Sequence, residues 1–583
     1  MRRTAQCVLV SAACLATFTG ISAYAKKKSA DDTRQFFQEI PKDQRISQAL
    51  SRLTFGARPG EAAQVKAMGL KKWIELQLHP DQIPENPTLE AKLKYLDTLA
   101  MSSEELVRNY PTPQMVKQMV AGQVPFPTDP DRRVLIEKLV AKYENKQAAG
   151  GDAAPPPGAP EAAALRTILT PEQLRALRQG TPQQRVAFFQ SLPAEKQDDV
   201  IGAMPAQLRQ AMYAAATPEM RRKLILANGP QQVVARDLME AKMLRAVYST
   251  RQLNEQLVDF WFNHFNIYLE KGADRYLVTE YERDAIRPHV LGKFRDLLEA
   301  TAKSPAMLFY LDNWQSVGPD APQPRGVKKE QRRRGLNENY GRELLELHTL
   351  GVDGGYTQKD VTEVARCFTG WTINQPQRGG KFTFAPRQHD RGEKVVLGVT
   401  IPAGGGIQDG EKVLDILSHS PATARFISRN LAQHFVADEP PASLVNAMAQ
   451  TFLKSDGDIR QVLETMLNSK EFWSVAAYRS KMKSPLEMVA SAVRAVNGDV
   501  DFAFALTNQV AQLGEPLYRK QEPTGYSNSS REWLNSAGLV ARMNFALQLA
   551  DNKVPGVKVE VAQAAKPDDA QAFALGSPEF QKR

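Results

Sequence analysis

The chain has 583 residues, with 75 Lys and Arg against 65 Asp and Glu for a net charge of +10, and 42% of its residues are hydrophobic. That length and apolar content suffice for an ordinary buried core, while three cysteines, two of them within the first 25 residues, exclude a disulfide-built fold. The positive balance is spread out, and no basic stripe is interleaved with aromatics, which argues against nucleic acid as a partner.

In chain order, residues 1–25 have the parts of a secretory signal: Arg2 and Arg3, an apolar run from Cys7 to Ile21, and Ala23-Tyr24-Ala25. Cleavage after Ala25 would leave 583 − 25 = 558 residues and a charge of 10 − 2 = +8. The apolar run is shorter than the roughly 20 residues that span a bilayer, and no later segment is long and apolar enough. The expectation is an exported protein, periplasmic or extracellular, with no transmembrane segment after signal removal. Residues 26–44 read as a flexible N-terminus. Helical spacing from Ile46 through Leu50, Leu53, Val65, Trp73 and Leu78 then marks 45–145 as a helical N-terminal part of the core.

Residues 146–162 collapse to Ala, Gly and Pro and read as a linker. After it, prolines at 171, 182, 193, 205, 218 and 230 recur at intervals of 11, 11, 12, 13 and 12. Thr170, Thr181 and Thr217 suit N-caps, and the prolines that follow them suit the first helical position. The segment 163–230 is therefore expected to be an inserted array of short helices, stacked on itself or on the core because such helices are marginal alone. It serves either as a structural insertion or as a partner-binding surface. Residues 231–555 read as the main helical core and 556–583 as a C-terminal tail. Strand patterning in Lys381 to Phe384 and Lys394 to Ile401, around a turn-rich centre, predicts a small β-hairpin. The fold class is mainly α: a multi-helix globular core with that hairpin and the inserted array.

The stretch Gly335 to Asn374 is dense in carboxylates and amides. On a helical wheel Glu338, Asn339, Arg342, Glu343 and Glu346 share one face, and Tyr340, Leu344, Leu345 and His348 the other. An i, i+4 ladder of Glu338, Arg342 and Glu346 accounts for the face as structure. The functional alternative uses Asn337, Glu338 and Asn339 at a helix start to orient an anion or carboxylate, with Glu338 or Glu343 as acid or base. A second cluster, Asp259 to Asn266, surrounds His264 with aromatics and two Asn. It fits a hydrogen-bonded core histidine or a general base in an aromatic pocket. Asp312 and Asn313 end an apolar run, as a turn or as part of a pocket. The catalytic candidates are thus His264, Glu338 and Glu343, and the binding candidates Asn266, Asp312, Asn313, Asn337, Asn339, Arg342 and Trp371.

Other motifs read as structure. Cys367 has apolar neighbours and no activating pair. Gly404 to Gly410 misses the dinucleotide and P-loop spacings, Asp456-Gly457-Asp458 lacks the other ligands of a calcium loop, and Ser527 lacks the last glycine of a nucleophile elbow. No metal-ligand spacing stands out, and no cofactor is indicated. The run Lys328 to Arg334 is either a solvated loop or a contact for an acidic polymer.

The ordered motifs Arg52 to Gly56, Phe260 to Phe265, Tyr310 to Asn313, Asn337 to Leu344, Phe368 to Trp371, Lys483-Ser484-Pro485, Gly514-Glu515-Pro516 and Pro523 to Tyr526 resemble the bacterial family known as domain of unknown function 1800. The resemblance flanks a departure from about Gln114 to Pro230. It implies export, and a co-encoded exported partner similar to sulfatases and alkaline phosphatases. Two functions remain open: a partner-dependent envelope or extracellular assembly or binding protein, or a secreted hydrolase or transferase on a glycan or ester using a Glu/His acid–base pair.

Overall fold

The computed structural model describes residues 34–148, 159–319, 321, 335–559 and 574–583. The signal-like residues 1–25, most of the Ala/Gly/Pro-rich stretch 146–162 expected to be a linker, and the basic run Lys328 to Arg334 lie outside the described residues.

The protein is mainly α. Its central helix, Gln231–Tyr248, buries residues on every side, from Val233 and Leu238 to Met243 and Tyr248, so it needs partners all round. The helices Ala503–Gln512 and Pro485–Ala495 pack against it, as does the end of the inserted array. Its two buried charges are paired: Asp237 accepts from Arg222 at 3.0 Å and from Thr98 at 2.7 Å, and Lys242 donates to Asp259 at 2.7 Å. One apolar core runs from Phe36 to Leu575. Among the described residues no helix is long and apolar enough to cross a membrane.

The inserted helices have a core of their own, built on Leu177, Phe189, Val200, Met204, Met212 and Leu224. It is continuous with Leu106, Val107, Tyr110 and Met115 before it in the chain and with Val233, Val234, Tyr276, Phe502 and Ala505 after it. The repeat is set by local chemistry. Thr170, Thr181 and Thr217 each accept a backbone N–H two residues beyond a proline that opens the helix, at 3.3 Å in all three cases. Pro193 and Pro205 instead stand one residue earlier, at the N-cap.

The strand segments do not pair as their patterning suggests. Strand β1 (Trp371–Ile373) takes β2 (Phe382–Phe384), whereas β3 (Lys394–Val396) folds back on β4 (Val399–Ile401). The cause is the two-residue turn Leu397-Gly398, where φ is 48° and 80°. Two positive φ values make the tight turn that closes a hairpin on itself. A third ribbon joins β5 (Asp499–Val500) to β6 (Val557–Lys558). Residues 581–583, marked by the sequence as part of a tail, pair with 481–483: Lys483 N donates to Gln581 O at 2.9 Å and Arg583 N to Lys481 O at 2.7 Å. Two stretches, Tyr281–Ile286 and Leu344–Thr349, wind as π-helix, a form that recurs at functional sites.

Candidate functional site

The helix Gln252–His264 ends in the aromatic cluster, and its C-terminal turn clamps a distant loop. Asn263 donates to Tyr526 O at 2.7 Å and accepts from Tyr526 N at 2.6 Å. Asn266 donates to Lys520 O at 3.0 Å and Glu522 O at 2.9 Å. Gly525 is held at φ 68°, and a Cβ there would lie 2.3 Å from Asn263 O, so only glycine fits. Ser484 and Glu487 close a capping box on the helix Pro485–Ala495, and Glu515 accepts from Leu486 N at 2.8 Å in the same first turn.

These segments enclose a cavity of about 60 Å³. Lys242, Asp259, Lys481, Glu487, Glu515, His434 and Arg583 line it, together with Asn263, Asn266, Tyr518, Asn528 and Trp533. Packing alone would not select such a lining. Lys481 is 2% exposed and donates to Asp438 at 2.6 Å and to Asn528 O at 2.6 Å. Arg583, 3% exposed, pairs with Glu487 and donates to His434 O at 2.9 Å.

Burial governs the protonation of these groups. It pushes Glu515 up to about 8, with the nearby Asp259 carboxylate adding to the effect. Lys481 is pulled down to about 8 by burial against the pull of Asp438, and Lys483 down to about 7 by burial with Arg583 and Arg542 nearby. Burial also lowers Lys242, but Asp259 and Glu282 outweigh it and hold the ammonium above its usual value. His434 is kept neutral by burial and by Arg583, its ring nitrogens 3.1 Å from Asn528 Oδ1 and 3.3 Å from Gln256 Oε1. A carboxyl neutral near pH 7 beside a second carboxylate and the titratable ammonium of Lys481 can bind a polar ligand and exchange protons with it.

Of the candidates read from the sequence, Asn266 lines this cavity and His264 does not. His264 sits in an aromatic layer with Trp261, Phe265 and Phe426, its Nε2 3.1 Å from His348 O. Burial lowers it to about 4, and His348 beside it to about 3. Glu338 accepts from Gln358 at 2.9 Å and Thr362 at 3.0 Å, and Arg342 donates to the same Gln358 at 2.7 Å. Neither shares a described hydrogen-bond partner with His264. Glu343 is half-buried and raised by burial, then by Glu346. Asn337 caps its helix through Tyr340 N at 3.1 Å and donates to Leu311 O at 2.7 Å, while Asn339 is exposed. Asn313 is fully buried and ties Phe368 O to Trp371 O at 3.1 and 3.3 Å. Asp312, at φ 59°, pairs with Lys271 at 2.8 Å, and the Trp371 ring is in the core.

Lys242, His434, Lys481, Glu487, Glu515 and Arg583 are not among the candidates the sequence suggested. The signal that could have found them is the set of short motifs around Lys483, Glu515 and Gly525, which converge here with the aromatic run at Phe260. Among the described residues no group of three or more His, Cys, Asp or Glu is placed to hold a metal ion. No curated protein and no solved structure matches the chain. The model of one family matches residues 48–581, nearly the whole length, and the chain belongs to that family, described as proteins of unknown function, DUF1800.

Proposed function

We propose that the chain is an exported envelope or extracellular protein that binds a small polar ligand in the cavity beneath Asn263 and Tyr526 and works together with a partner protein. The observation that carries the reading is the convergence of four motif segments, from Phe260, Lys483, Glu515 and Gly525, on one cavity lined by buried charge. Burying such groups costs stability even when they are paired, and a binding role accounts for that cost. The signal-like first 25 residues support export. A second reading, a hydrolase or transferase on a glycan or ester, draws on Glu515, a carboxyl that burial holds protonated to about 8 and so fit to act as a general acid.

Native mass spectrometry of the protein purified with its crosslinked neighbours from its own cell envelope tests the proposal. A small molecule retained by the wild type and lost from a folded Asp259→Asn variant supports it. A wild type that carries nothing, and that behaves as Asp259→Asn does in cells, refutes it.

A further inference from the structure

The cavity and the layer behind it hold more buried cations than carboxylates. Lys242 is matched by Asp259 at 2.7 Å, Lys481 by Asp438 at 2.6 Å and Arg583 by Glu487. Three further cations lie behind them. Arg52 is fully buried and spends its contacts on Ala477 O and Ser480 Oγ. Arg542, 1% exposed, donates to Lys483 O at 2.9 Å. Lys483, 8% exposed, has its ammonium 3.7 Å from the centre of the Phe580 ring. Arg52 faces Glu487 and Asp438, and Lys483 faces Glu487, carboxylates already paired with Arg583 and Lys481; Arg542 faces Glu487 too and Glu515, which already accepts from Leu486 N.

Several of the guanidinium groups also keep unused donors. Nε of Arg583, on the cavity wall, is buried with no acceptor among the described residues. The same holds behind it for Nη1 of Arg542 and for Nε and Nη1 of Arg52. Buried donors are nearly always satisfied, and guanidinium groups are matched best by an acceptor with several oxygens and negative charge. The wall adds neutral groups suited to the edge of such a ligand: the Asn263 and Asn528 amides and the Ser527 hydroxyl. At about 60 Å³ the space exceeds what a single water needs and admits a group of a few heavy atoms.

Resting on the binding function proposed above, we propose that the ligand group is a small oxyanion, a phosphate or sulfate, held between Lys481 and Arg583. It arrives either as the free ion or as the esterified end of a larger molecule. The cavity is partly open to solvent, so an ester could leave its remainder outside.

The test is calorimetric titration of the full chain with inorganic phosphate, sulfate, glycerol phosphate and acetate, at fixed ionic strength set by sodium chloride. Saturable binding of phosphate or sulfate is expected, weakened about tenfold or more by Lys481→Met and unchanged by Lys553→Ala, a surface control. Tighter binding of glycerol phosphate than of inorganic phosphate assigns the esterified source, and the reverse order assigns the free ion. Because Lys481→Met removes the ion-pair partner of Asp438 and leaves it the Ser530 donors alone, Lys481→Arg is the companion variant, expected to restore most of the affinity. No saturable binding by the wild type, or equal binding by wild type and folded Lys481→Met, overturns the proposal. If Asp259→Asn still abolishes retention of an envelope ligand while no oxyanion binds, the ligand class is wrong and the site stands.

Discussion

Replacing Glu515 by Gln separates two states of the cavity. Glu515 is pushed up to about 8 from its usual 4.5, by burial first and by Asp259 second. Between those limits the unfolded chain has released the proton and the folded chain retains it, so stability falls as pH rises, by about 1.4 kcal/mol per unit, and levels off above about 8. At pH 7 this costs the wild type on the order of 3 kcal/mol relative to a side chain that cannot ionise. Gln keeps the shape and the oxygen that accepts from Leu486 N. The two proteins should therefore be equally stable at pH 4.5, and Glu515→Gln should gain steadily on the wild type up to pH 8. Urea unfolding at half-unit pH steps, followed by tryptophan fluorescence, measures the gap. A variant that is less stable than the wild type at pH 7, with a deficit growing as pH rises, would show an ionised Glu515 paired with Arg542 and Lys483, and the argument for a neutral acid would fail.

Acid should act through the aromatic layer. His264 is held down to about 4 by burial, against an unfolded value near 6.5, so the unfolded chain takes up a proton that the folded one refuses. Stability is then lost as pH falls from 6.5 to about 4, on the order of 3 kcal/mol from this group. His348 and His434, also kept neutral by burial, act in the same direction, so His264→Gln should make that limb of a pH–stability curve shallower, and an unchanged limb would exclude a contribution from His264. Elsewhere, Lys394→Met strands Asp409, a carboxylate only 3% exposed at its side chain, with His389 as its remaining side-chain partner at 3.1 Å. Breaking such a pair from one side costs about 3–5 kcal/mol. In a chain of this size that lowers the melting temperature by about 3 °C, and a fall of less than one degree would show the pair to be dispensable.

The elements legible in the sequence are those set by neighbours in the chain. Thr170, Thr181 and Thr217 announce their helices because cap, proline and first turn are consecutive residues. The pairing of the β ribbons is not legible in the same way, because strand patterning gives no pairing partner and the deciding feature is the positive φ of Leu397, which its residue type does not advertise. The polar stretch from Asn337 to Glu343 stands out for the same local reason, yet much of its chemistry goes into holding the chain: Asn337 caps a helix and reaches Leu311, while Glu338 and Arg342 meet at Gln358. Lys242, His434, Lys481, Glu515 and Arg583 belong to segments spread over more than half the chain. No periodicity relates them, and it is tertiary contacts, such as those of Asn263, Asn266 and Tyr310 with the loop 520–526, that bring that loop to the cavity wall.

That dispersal has a thermodynamic consequence. The cavity exists only when the helices Gln231–Tyr248, Gln252–His264, Pro421–Phe435 and Pro485–Ala495 are all in place, so a ligand seated there binds the folded chain and not the unfolded one. Stability is an inadequate reason for the lining itself, since buried pairs such as Lys242–Asp259 and Arg583–Glu487 can often be exchanged for apolar side chains without loss. A ligand changes the balance. At a hundred times its dissociation constant it adds about 2.7 kcal/mol to the folded state, comparable to what one buried ionisable group takes away. The buried charges then have a role at the moment of binding, and the unliganded protein is the form that bears their cost.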